Sequence, residues 1–306
     1  MDKSNHGKNR SKKHHYLPRY YLKGFTDCDD KFFVYDKKQK IILPKPISPL
    51  VFFAENDLNT ITLPNGKTSD FLENLYTNVE NQVWGPFDRI RHSKLNDPIN
   101  ILDKMSVFLF LLFLHWRLPS NIKYAENLSR NLFLENSNLN YVTLKNKNGK
   151  NVSEEIKFLL KNSPAFKKAT KLLAPFAPFY ENNWVDKLEN WRFLYTEDKC
   201  DWYLVGDNPI ITKNINDHDP THCLDEFIFP ISGKLILINT AKPISENLNR
   251  EFIIQFGFSI IKRAERFIAC PRKDLLEAFV ADYTKHAGTQ SEMDTINQLF
   301  ALLEKK

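Results

Sequence analysis

The chain has 306 residues, 42% of them apolar and 13% aromatic, enough to bury about three quarters of its unfolded surface in one or two domains, which excludes a disordered chain. Its formal net charge of +6 is localised: residues 1–23 carry seven Lys or Arg side chains against Asp2 alone, and the remainder is balanced at 36 of each sign. A generic basic protein that coats nucleic acid is excluded, because any wide cationic face on the body must be matched by an acidic one.

Residues 1–13 are polar, rich in Lys, Asn and Ser, and aperiodic, so they are predicted to be a mobile basic tail ahead of a single domain over 14–306. In "HHYLPRYYLKGF", Pro18 suits the first turn of a helix that turns Tyr21, Leu22 and Phe25 inward, with His14 or His15 just ahead of it. The β-branched and aromatic runs "KFFVYD" (31–36) and "KIILP" (40–44) predict a hairpin across "KKQ". A short strand and an Asn65-Gly66 turn follow, and then Ser69 or Asp70 is placed to cap a helix whose buried stripe is Leu72, Leu75, Tyr76, Val79 and Val83. A second helix is expected from about Ile99 to Arg117, stopped by Pro119, and a third over much of 120–136. "KNKNGKN" (145–151) is a polar turn, and a helix over about 153–173 is interrupted by Pro164 and stopped by "APFAPF". Strand-like "WRFLYT", "DWYLV", "EFIFP" and "KLILIN" come next, and helices near 251–265, 272–284 and 291–304 close the chain. Segregated rather than alternating elements predict an α+β fold, mostly helical, with a small antiparallel sheet.

The four cysteines lie far apart with no C-x-x-C pair, and a chain of this length folds without disulfides, so reduced thiols and a cytoplasmic location are expected. The apolar run "VFLFLLFL" (107–114) is fenced by Asp103, Lys104 and Arg117 and is far short of the ~20 residues of a membrane helix. It reads as a core helix, and no membrane association is expected.

Several groups could carry chemistry. A histidine ahead of a helix N-terminus is favoured in its neutral form, suited to proton acceptance or metal ligation; as plain structure it would order a neighbouring loop. Asp207 in "LVGDNPII" follows a strand, where the sheet fixes position and the loop exposes the carboxylate, although Asp-Asn-Pro is also ordinary turn chemistry. Glu73 and Glu80, seven residues apart, project along one line at the edge of the apolar stripe, where such carboxylates usually meet an arginine. In "LHWRLP", Arg117 is the expected partner of Glu80 or Asp207. "NDHDPTHC" (216–223) gathers Asp, His and Cys without a known zinc spacing. There is no G-x-x-x-x-G-K-[ST], G-x-G-x-x-G or G-x-S-x-G, so nucleotide-hydrolysing, dinucleotide-binding and ordinary esterase readings lack support.

Three segments together, "HHYLPRYYLKGF", "LVGDNPII" and "FIFPISGKLIL" followed by "SIIKRAERFIACPRKDLL", resemble the domain-of-unknown-function 4238 family, whose members open with an HHYVPR-type segment and later carry an SDNP turn. Leu17 stands where valine is common there, and Gly206 where serine is. The resemblance implies a shared architecture that sets the HHY segment and the DNP turn in one core, and it implies no activity.

The expectation from these residues is a phosphodiester hydrolase, a metal-dependent nuclease acting on DNA or RNA. His14 or His15, Glu80 and Asp207 would form its site, since histidine plus carboxylates can hold a divalent ion and lower the pKa of its water. Lys8, Arg10, Lys12, Lys13 and Arg19 would attract the phosphate backbone. The alternatives are a non-catalytic nucleic-acid- or protein-binding module, in which the same residues form a buried polar network, and an enzyme on a smaller substrate. Metal identity and oligomeric state stay open.

Overall fold

The computed structural model describes residues 13–62, 66–94, 97–125, 143, 145, 148–163, 168, 170, 171, 173–180, 183–196, 202–213, 223–244 and 248–304. Strands β1 (Lys13–His15), β2 (Phe33–Asp36), β3 (Ile41–Ile42), β4 (Ala54–Asn56), β5 (Ile61–Thr62) and β6 (Thr68–Ser69) precede the long helices, and α1 (Arg19–Leu22) is a single turn continued by a 3₁₀ turn at Lys23–Phe25. Helices α2 (Phe71–His92), α3 (Ile101–Arg117) and α4 (Ser153–Asn162) follow. After them come β7 (Trp191–Tyr195), β8 (Val205–Gly206), β9 (Ile211–Thr212), β10 (Phe227–Ser232), β11 (Leu235–Asn239), α5 (Arg250–Arg263), β12 (Phe267–Cys270), α6 (Lys273–His286) and α7 (Gln290–Leu303). The fold is α+β, and all of its described strand pairs are antiparallel.

Two four-stranded sheets, ordered β7–β11–β10–β9 and β3–β2–β12–β8, form the middle layer, beside two small ribbons, β1–β4 and β5–β6. Every residue of β10 and β11 is buried, because the sheets are covered on both faces. Strand alternation sends Phe227, Phe229, Ile231, Leu235 and Leu237 into one apolar cluster with the stripes of α2 and α3. It sends Ile228, Ile236 and Ile238 into a second cluster with Phe252, Phe256 and Ile260 of α5, Leu276 and Phe279 of α6, and Leu299 and Leu303 of α7. The helices are therefore divided between the two faces in sequence blocks rather than by alternation, which is why the chain lacks a βαβ pattern.

The local expectations met different outcomes. The α2 stripe is buried at Leu72, Tyr76, Val79 and Val83, Ser69 Oγ accepts the Phe71 amide at 3.3 Å, and the helix runs on through Pro86 to His92. Asn100 caps α3, its side chain accepting the Asp103 amide at 2.8 Å, and the helix ends before Pro119 as expected. The expected helix over 153–173 is shorter, α4 ending at Asn162, and "APFAPF" is itself a 3₁₀ stretch, Ala174–Tyr180. Of "DWYLV" only Val205 joins a strand; Trp202 and Tyr203 instead donate their amides to Gly233 O at 2.8 and 3.0 Å. Beyond residue 125, the expected helix over 120–136 lies outside the described residues.

Cys28, Cys223 and Cys270 are free thiols. No described helix is long and apolar enough to cross a membrane.

Candidate functional site

The HHY segment is a strand before it is a helix. β1 pairs with β4 in the register His14↔Glu55 and His15↔Ala54, so alternation buries His14 completely and turns Lys13 outward. Pro18 occupies the N-cap position rather than the first turn, and the one-turn α1 carries Tyr21 and Leu22 into the core, with Phe25 following in the 3₁₀ turn. Tyr21 stacks on Phe229 at 5.1 Å between ring centroids and donates to Pro230 O at 3.0 Å, which fastens the segment to β10. Gly24 permits this approach: its carbonyl accepts the Gly233 amide at 2.9 Å, and a Cβ there would stand 3.0 Å from Ile231 O.

His15 is half-buried. Its Nε2 lies 3.3 Å from Leu50 O, and because a carbonyl only accepts, Nε2 is the protonated nitrogen and Nδ1 keeps a lone pair. Burial lowers its pKa below the ordinary histidine value; the Leu50 carbonyl opposes this, and the positive charges of Lys13, Arg117 and Arg19 reinforce it. Lys13 Nζ donates to Val51 O at 2.8 Å, and Arg19 is exposed.

His14 belongs to a buried polar cluster. Its Nδ1 accepts the Asn59 amide at 3.0 Å and lies 3.8 Å from Glu73 Oε2, to which Asn59 Nδ2 donates at 2.8 Å. Arg117 donates through Nη1 to Glu80 and sits 4.0 Å from Glu73 Oε1, with its guanidinium 4.8 Å from the centre of the Tyr76 ring. The pair one helical line apart on α2 therefore shares one arginine, and Glu80 reaches the histidine only through Arg117 and Glu73. Around this pair the Tyr20 and Tyr76 hydroxyls, Asn59 Oδ1 and Arg117 Nε are buried without hydrogen-bond partners among the described residues. Burial raises both tyrosine pKa values and keeps the phenols protonated. Asn59 and the two tyrosines were not foreseen from sequence; a fully buried asparagine in "DLNTI" was the available signal, a polar residue inside an apolar alternation.

Asp207 has a different set of partners. Its Oδ1 accepts the Glu265 amide at 2.8 Å, and its Oδ2 accepts the Arg266 and Phe267 amides at 2.7 and 2.9 Å, so the carboxylate ties the β8–β9 turn to the entry of β12. Its three hydrogen bonds run to backbone, not to a histidine. Burial pushes its pKa up to about 6 against the pull of the three amides. Gly206 beside it packs where a Cβ would stand 3.1 Å from Ile260 Cγ2, which accounts for glycine in place of serine. Asp207 also lines a small cleft of about 110 Å³ with Tyr16, Glu55, Ser120, Glu265 and Arg266, and Tyr16 is the residue by which the HHY segment borders it.

The structure thus links His14 to Glu73 through Asn59, Glu73 and Glu80 to Arg117, and His15 to the Leu50 carbonyl, while Asp207 serves the neighbouring turn. Lys8, Arg10 and Lys12 lie outside the described residues, as does "NDHDPTHC" apart from Cys223. Among the described residues no group of three or more His, Cys, Asp or Glu side chains is arranged to hold a metal ion. A family model described as a protein of unknown function, DUF4238, matches residues 13–302. No curated protein and no solved structure matches the chain.

Proposed function

The chain belongs to the DUF4238 family, and from that premise and the surroundings of His15 we propose that it is a phosphodiester hydrolase acting on nucleic acid. The observation that carries this reading is the His15–Leu50 contact inside a cationic setting. The carbonyl orients the ring through Nε2–H, burial, reinforced by three nearby positive charges, holds the imidazole neutral, those charges attract an anionic ester, and Nδ1 is left as a proton acceptor. In the reaction Nδ1 takes the proton of the attacking hydroxyl or water while the ester phosphate lies against Lys13 and Arg19. The leaving oxygen is then protonated by the imidazolium or by solvent.

The nuclease expectation enlisted Glu80 and Asp207 as well. Both are omitted from this chemistry for a physical reason: Glu80 is spent on Arg117, and the lone pairs of Asp207 are spent on three amides. The same two facts favour the second reading, a binding module without turnover in which the polar network only holds the HHY strand to the body.

Labelled single-stranded RNA and DNA incubated with wild type and His15→Ala, in EDTA and in added Mg²⁺ or Mn²⁺, separate the two. Cleavage that falls about 100-fold or more in His15→Ala with an unchanged unfolding midpoint supports the hydrolase. Binding of either strand with no turnover under any of these conditions supports the module. The EDTA arm reports whether a divalent ion takes part.

A further inference from the structure

On the face of the molecule built by α5 and α6, a cleft of about 630 Å³ opens between the two helices and the Trp202–Tyr203 segment. That size lies in the range of small-molecule sites, ~300–1,000 Å³. Its wall is aromatic and aliphatic, with half-buried Trp202 and Ile253 and buried Phe258, Leu275 and Phe279 among the lining groups. Tyr203, fully buried, also borders it. At the rim the charges are uneven. Asp282 is paired with Lys285 at 2.8 Å, whereas Arg250, the first residue of the 14-residue α5, has no ion pair among the described residues. Asn249 beside it caps the same helix by accepting the Phe252 amide at 2.8 Å, so the positive end of the α5 dipole and Arg250 lie together at the rim.

We propose that this cleft binds a small organic carboxylate with a flat aromatic or branched apolar body. The body lies between Trp202 and Phe279, and the carboxylate meets Arg250 at the mouth. The site shares no residue with the surroundings of His15, so it stands independently of the hydrolase reading.

The test uses the full chain, 8-anilinonaphthalene-1-sulfonate as a fluorescent occupant, and 2-naphthoate and 2-naphthylmethanol as competitors of equal body and different charge. The expected result is saturable probe binding that naphthoate displaces at least about tenfold more tightly than the alcohol, a difference of one charge-assisted contact. Ala278→Trp, at an exposed position on the cleft wall, should fill the space and abolish saturable binding with an unchanged circular dichroism spectrum. Arg250→Gln should bring acid and alcohol to equal affinity. Equal competition by acid and alcohol in wild type would overturn the carboxylate assignment. Undiminished probe binding in Ala278→Trp would overturn the site.

Discussion

Replacing Asp207 probes a buried carboxylate that anchors one turn to a neighbouring strand. Asp207→Ala would leave the amides of Glu265, Arg266 and Phe267 without the acceptor they now meet at 2.7–2.9 Å. Hydrogen bonds to a charged group are worth about 1.5–3 kcal/mol each, but the cost of burying the charge offsets much of the sum, leaving an expected loss of about 2–4 kcal/mol at pH 7.5. Asp207→Asn should cost as much, since its NH₂ would confront amides that donate. The pH dependence follows from burial. With a folded pKa of about 6 against an ordinary 3.8, the native chain holds a proton that the unfolded chain has released across that window. Wild-type stability therefore falls as pH rises from about 4 to about 6, by about 3 kcal/mol at 1.36 per unit, and neither variant shares that fall. The gap between wild type and Asp207→Asn should accordingly widen on acidification. Urea unfolding followed by tryptophan fluorescence at pH 7.5, 6 and 4.5 reads it directly. A gap under about 1 kcal/mol at pH 7.5, or one that narrows as pH falls, would refute the reasoning, the latter by showing that the amides and not burial govern the carboxylate.

For His15 the sign runs the other way: a lowered folded pKa favours the neutral ring, so its share of stability is present above the ordinary 6.5 and is lost as pH falls through the folded value. Any cleavage activity should keep its acid limb below pH 6.5, and a limb above 7 in the pH–rate profile would contradict the general-base role. Arg117→Met should destabilise by about 3–5 kcal/mol, because Glu73 and Glu80 lose their shared counter-charge, and adding Glu80→Gln should restore part of it in denaturant melts. Deleting residues 1–12 removes four of the seven basic side chains at the N-terminus; if they contact phosphates, the log–log salt slope for duplex DNA should flatten by about 3–4, at ~0.9 per contact, and an unchanged slope would assign binding elsewhere. If residues 14–306 form a single unit, fluorescence and far-UV circular dichroism should report one coincident urea transition, and two separated transitions would divide the chain.

What the sequence determined by itself is what short-range periodicity encodes. The stripe Leu72, Tyr76, Val79 and Val83 repeats at helical spacing and is buried on α2, Pro119 halts α3, and the apolar runs around 191–195, 227–232 and 235–239 are strands. The α+β class follows from their order along the chain. Even the Arg117–Glu80 pair was readable as the common fate of a carboxylate at the edge of an apolar stripe. Tertiary structure decided the rest, because the deciding partners are distant in the chain and often carry no side-chain signature. His14 is a strand residue because β4, some forty residues on, pairs with it, a partner that the segment ahead of the Pro18 helix gives no sign of. Asp207 is an anchor because three backbone amides, 58–60 residues later, converge on it, and an amide is the same group in every non-proline residue. His15 acquires its polarity from the Leu50 carbonyl, from burial and from the one distant charge, Arg117, that α3 brings in, and the cleft beside Tyr203 exists only once α5 and α6 pack across the sheet. Local pattern sets which elements form; long-range packing sets which atoms they present to one another.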